Sequence, residues 1–108
     1  MMTRYNIELS DRLVDNKIDC LIAQFYKILP IRESGEKTLR QYMTSLMREM
    51  LGMKDLITAL NDDGRYLSVM SVLQYMIDHE CDIPTTRCDV FKAIGILKKM
   101  QNKNNAVG

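Results

Sequence analysis

Apolar residues return at intervals of three and four along most of this chain, the repeat of amphipathic helices. The first run is Leu13, Val14, Ile18, Leu21, Ile22, Phe25, Ile28 and Leu29. It predicts a helix of about five turns, capped by Ser10, with Asp11 favourably placed in the first turn. Pro30 sets its expected end, because the residue before a proline avoids helical geometry. Residues 1–9 read as a flexible leader in which Tyr5, Ile7 and Leu9 pack locally.

The second run is the clearest: Leu39, Tyr42, Met43, Leu46, Met47, Met50 and Leu51, continued by Met53, Ile57 and Leu60. Ser34 is its expected cap, and Gly52 its expected kink or short break, since glycine in a helix interior costs about 1 kcal/mol relative to alanine. Asn61-Asp62-Asp63-Gly64 predicts a turn in which Gly64 takes positive φ. Ser68 then caps a third helix through Val69, Met70, Val72, Leu73, Met76 and Ile77 to about His79, with Leu67 and Val72 as a hydrophobic staple. Residues 80–85 read as a loop. Thr86 with Asp89 forms a short capping box for a last helix carrying Val90, Phe91, Ala93, Ile94, Ile96, Leu97 and Met100. Its polar face is narrow, which predicts burial against more than one neighbour. Lys98, Lys99 and Lys103 suit the negative end of its dipole.

A chain of 108 residues with 46% apolar side chains suits one folded domain and excludes disorder. Two prolines and five glycines are too few breakers for a strand-rich fold with many turns. The net charge of +1 gives no strong nonspecific pull toward nucleic acid or an acidic membrane. Charges throughout the first thirty positions exclude a signal peptide, and no apolar run approaches the roughly 20 residues that span a bilayer. Cys20, Cys81 and Cys88 are an odd number and no disulfide framework, which fits a reducing compartment.

Candidate chemistry is sparse. His79 is the single histidine, so no nucleophile–base–acid set emerges. His79, Cys81 and Cys88 supply three zinc-compatible ligands, but their spacing matches no paired cysteine motif. The plainer reading is a polar helix end with Cys88 turned into the core. Asp55, Asp62 and Asp63 lack the alternation of a calcium loop and read as a solvated turn. Met43, Met47, Met50 and Met53 form a line that suits an adaptable contact surface, although the same stripe is the best core candidate. Arg87, Lys92, Lys98, Lys99 and Lys103 raise DNA binding. Against that stand a preceding loop of about six residues, longer than in a helix-turn-helix, and the balancing Asp82 and Asp89.

Asp63-Gly64-Arg65-Tyr66-Leu67-Ser68, then Glu80 and Asp82, then Asp89-Val90-Phe91-Lys92 form an order that resembles the enterobacterial family of small biofilm and acid-resistance regulators, the two-component-system connector proteins. The likeness covers roughly residues 53–100. It implies a compact, dimeric helical protein without enzyme activity, associated with phosphorelay signalling and biofilm formation, with DNA association proposed within the family. The long first helix, Asp11–Leu29, departs from the short variable leader of that family.

The expected fold is therefore all-α, a dimeric bundle of four to five helices over residues 10–103, between the leader and a disordered tail at 104–108. The expected role is non-enzymatic and cytoplasmic: regulation through protein–protein contact, with no cofactor and no membrane association. The partners are a second copy and an unidentified protein. Met43, Met47, Met50, Phe91, Ile94, Leu97 and Met100 are the candidate buried or interfacial surface. The alternatives are a DNA-binding regulator using Arg87, Lys92 and Lys99, with DNA the less favoured partner, and a zinc site at His79, Cys81 and Cys88.

Overall fold

Burial selects nearly the same faces as the spacing. The computed structural model describes residues 2–33, 39–79 and 82–101. Among them run α1 (Asp11–Glu33), α2 (Leu39–Leu56), a 3₁₀ turn (Thr58–Asp62), α3 (Gly64–Asp78) and α4 (Ile83–Met100). No β-strand occurs among the described residues, only two isolated bridges in which the N-terminal segment takes part. The all-α expectation holds, with four α-helices and a single 3₁₀ turn where a fifth helix was allowed for. Helix α1 packs on α2 and α4, and α3 completes the ring between α2 and α4.

Helix α1 starts as its sequence requires: the Ser10 hydroxyl accepts from the Leu13 amide at 3.2 Å. Val14, Ile18, Leu21, Ile22, Phe25 and Ile28 enter the core, while Leu13 falls off that stripe and is exposed. The helix does not stop at Pro30 but continues to Glu33. Pro30 removes one intrahelical bond, to the Tyr26 carbonyl, and both residues are exposed, so the loss falls at the surface and not in the core. Ser34, the expected cap of α2, lies outside the described residues, as does the tail at 104–108.

Helix α2 passes Gly52 without a break and ends at Leu56. The interruption comes at Ile57, whose φ of −102° and ψ of 98° are extended. Ile57 and Leu60 are nevertheless fully buried. The expected loose leader is instead tied to this junction, with the Arg4 amide donating to the Leu56 carbonyl at 2.8 Å. Tyr5 and Ile7, expected to pack, are exposed, and Leu9 leans on the core.

Helix α3 begins five residues earlier than its hydroxyl suggested, with Asp63 and not Ser68 as the cap. The Asp63 carboxylate accepts from the Arg65 and Tyr66 amides. Gly64 is already helical, not a positive-φ turn residue, and Ser68 donates back to the Gly64 carbonyl. Aspartate wins because it caps as well as serine and adds charge at the positive end of the dipole. The same substitution of roles recurs at α4. Asp82 accepts from the Thr85 amide at 2.8 Å, Pro84 sits in the first turn, and Thr86 lies inside the helix with its hydroxyl on the Asp82 carbonyl.

Three side chains lock the packing. The Tyr66 hydroxyl, in a fully buried side chain, donates to the Met50 carbonyl at 2.6 Å, and the Tyr42 hydroxyl to the Gln24 carbonyl at 2.9 Å. Burial, with Glu49 nearby, pushes both phenols above the ordinary tyrosine range, so both remain donors. Gln101, almost wholly buried, donates to the Asp15 carbonyl and the Asp19 carboxylate, closing the end of α4 onto α1.

Gly52 is exposed within α2, and a Cβ there meets nothing within 4 Å. Gly52→Ala should therefore raise stability by about 0.5–1 kcal/mol, read as a higher urea midpoint; a lower midpoint would show that the glycine is required. Partial burial pushes the Asp63 carboxyl up, but the Arg65 side chain and amide and the Tyr66 amide outweigh it and hold the group below 3.8. Its contribution is complete above the unfolded value and is lost as pH falls through the lower folded one. Asp63→Asn keeps a cap without the charge, so the stability gap between the wild type and this variant should shrink on acidification below pH 3.8. A gap that stays constant from pH 6 to pH 2.5 would remove the charge from the account.

Candidate functional site

Most of the side chains marked as candidate contact surface are occupied within the chain. Met43, Met47 and Met50 on α2 and Ile94, Leu97 and Met100 on α4 are buried in one core with α1 and α3. Phe91 is the exception and is 48% exposed. It lies one position past Val90, off the buried stripe, on the flank of α4 that faces α1. There it meets Tyr26, which is 41% exposed, edge to face at 6.1 Å between ring centroids. The antiparallel run of α1 and α4 is fixed at the other end by the Gln101 clamp to Asp15 and Asp19. The aromatic pair thus sits on a braced seam between two helices. Ala23 and Pro30, exposed one turn before and after Tyr26, and Cys88, exposed one turn before Phe91, extend it.

Tyr26 was not singled out by the spacing, because it directly follows core residue Phe25. An aromatic ring on the polar side of an otherwise regular stripe is the signal that marks it.

A second feature is an open depression where the start of α3 faces the end of α4, lined by Asp62, Asp63, Arg65, Ser68, Ile96 and Lys99 among others. Two of its charged groups, Arg65 and Asp63, are engaged with each other. The Arg65 guanidinium pairs with the Asp63 carboxylate at 3.1 Å and donates to the Lys99 carbonyl at 3.2 Å. The Ser68 hydroxyl is committed to Gly64. What this arrangement does is cap both helix ends with one ion pair.

The candidate cations for DNA do not form a single patch. Lys92 and Lys99 are two turns apart on one flank of α4, whereas Arg87 lies on another. One obstacle to this reading falls away, however. Only residues 79–82 separate α3 from α4, close to the three or four residues of a helix-turn-helix turn.

At the α3 end His79 stacks on Tyr75 at 4.2 Å, with its Nδ1 against the Tyr75 carbonyl at 3.1 Å. A carbonyl only accepts, so this contact is a hydrogen bond in the tautomer that carries the proton on Nδ1. Cys88 is exposed rather than turned into the core, because residue 88 falls between the buried positions Thr86 and Val90. Cys81 lies outside the described residues. Among the described residues no group of three or more His, Cys, Asp or Glu side chains is arranged to hold a metal ion. No described helix is long and apolar enough to cross a membrane. No family model, curated protein or solved structure matches this chain.

Proposed function

We propose that the chain is a non-catalytic regulatory module of the cytoplasm that binds another protein through the Tyr26–Phe91 seam. The observation that carries the reading is the aromatic pair itself: two large rings, each more than two-fifths exposed, held by α1 and α4. Aromatic anchors on rigid elements contribute area at little entropic cost, which is why they dominate binding hot spots. The pairing of Arg65 with Asp63, and the bond of the Ser68 hydroxyl to the Gly64 carbonyl, support the non-catalytic half. The resemblance of residues 53–100 to the connector-type biofilm and acid-resistance regulators points the same way, toward dimeric signalling proteins. A second copy of the chain is the simplest occupant of the seam.

DNA binding is the second reading, favoured by the short connection at 79–82 and by the exposed Arg87 and Lys92 that follow it on α4. The split of the cations between two flanks and the nearby Asp78 and Asp82 weigh against it.

Phe91→Lys discriminates where a core substitution such as Leu97→Asp does not, because Leu97 is fully buried and its loss unfolds the bundle. The Phe91 variant should keep its helix content and melting temperature yet lose self-association in sedimentation. Undiminished self-association would remove the seam as the dimer contact, and a wild-type chain that sediments as a monomer would leave only a different protein as occupant. For DNA, reversing Arg87, Lys92 and Lys99 to Glu should leave duplex binding at low salt unchanged, whereas loss of a salt-sensitive complex would establish the second reading.

A further inference from the structure

We propose that residues 2–9 form a strap that holds α2 broken at Ile57, and that its release lets α2 grow through the 3₁₀ turn Thr58–Asp62. The argument starts from a conflict between pattern and structure. Met43, Leu46, Met50, Met53, Ile57 and Leu60 keep helical spacing across the break. Leu56-Ile57-Thr58-Ala59-Leu60 contains neither glycine nor proline, and alanine and leucine are strong helix formers. The weak point, Gly52, lies inside the intact helix. Ile57 and Thr58 are β-branched, which lowers helix propensity slightly, but each by less than the glycine that α2 tolerates at Gly52. Local propensity alone thus does not explain why the chain turns extended at Ile57.

The strap does. In a continued α-helix the Leu56 carbonyl would accept from the Leu60 amide, four residues on. Instead the Arg4 amide donates to Leu56 at 2.8 Å, and the Leu60 amide turns to the Ile57 carbonyl at 3.0 Å. Arg4 and Leu60 compete for one acceptor. Thr3 reinforces the choice through an antiparallel bridge to Ile57, and the Thr58 hydroxyl donates to the Met2 carbonyl at 3.3 Å.

The strap is internally shaped for this contact. Thr3 is buried, and its hydroxyl accepts from the Tyr5 and Ile7 amides at 3.3 and 3.2 Å. The return runs through Asn6 at φ 61°, the left-handed region that asparagine tolerates better than most residues. Yet Tyr5 and Ile7 are exposed by 63% and 59%, so the tip adds little burial to hold it down. A few backbone bonds from the strap thus oppose the intrinsic preference of a buried helical stripe, the balance expected of a two-state element.

Release would also reach α3. A 3₁₀ segment rises about 2.0 Å per residue and an α-helix about 1.5 Å, so conversion shortens the path into Asp63. Asp63 holds Arg65, and Arg65 holds the Lys99 carbonyl. The strap is thereby linked to the start of α3 and the end of α4. This inference does not depend on what binds the Tyr26–Phe91 seam.

Two full-length variants test it. Arg4→Pro deletes the competing amide, and Thr3→Asp places a charge in the buried site of the strap. With the backbone assigned by NMR, the Cα shifts of residues 57–61 should move toward helical values in both, and the Leu60 amide should exchange more slowly. Unchanged shifts at 57–61 would overturn the proposal, because the break would then be intrinsic. Coil-like shifts there, or global unfolding of both variants, would overturn it equally by showing that no helical alternative exists.

Discussion

Helix α4 has to satisfy two neighbours along one stripe, and the rest of the bundle follows from that. Val90, Ala93, Ile94, Leu97 and Met100 are buried against α1 on one side and α3 on the other. A helix so placed cannot slide without breaking both contacts, since packed interiors tolerate little change of volume. Each end is therefore pinned by a polar device. Asp82 fixes the start, and Gln101, reaching Asp15 and Asp19, fixes the end on α1. Arg65 adds the tie to α3 through the Lys99 carbonyl. Apolar burial supplies the cohesion, and these few bonds choose the register.

The helices were legible because their stripes repeat without interruption. Their boundaries were less so, for a physical reason that is the same in several places. Ser68 and Thr86 look like caps by type, but an aspartate a few residues earlier offers a charged acceptor to the amides of a preceding turn, and the helix starts there. Gly52 looks like a break because glycine weakens helices, yet tertiary contacts on both sides of it hold α2 together. The true interruption at Ile57 was illegible because the amide that takes the Leu56 carbonyl there, that of Arg4, comes from a segment remote in sequence. The Gln101 clamp was hidden for the same reason: its partners are on α1.

The candidate surface was read partly for the same reasons. Spacing identifies residues that leave solvent, and so it marked Met43, Ile94 and Leu97, which the chain itself covers. A contact surface is made of apolar groups that break the spacing. Phe91 was marked as part of the apolar face of α4 and Tyr26 was not marked, although only the two together make a braced patch. The proposed role as a protein-binding module rests on that pair and gives it a geometry: two helices presenting one edge-to-face unit.

Pro30 adds a chemical detail to that patch. Its ring nitrogen carries no hydrogen, so the backbone oxygen of Tyr26 is denied the donor that a helix normally supplies four positions on. The oxygen belongs to the residue that also presents an aromatic ring outward. A visitor settling on the ring would therefore meet an acceptor beside a greasy face. Purely aliphatic visitors would leave that oxygen without a donor, whereas one bearing an indole, a hydroxyl or an amide would supply it. Selectivity at this spot would come from a missing hydrogen.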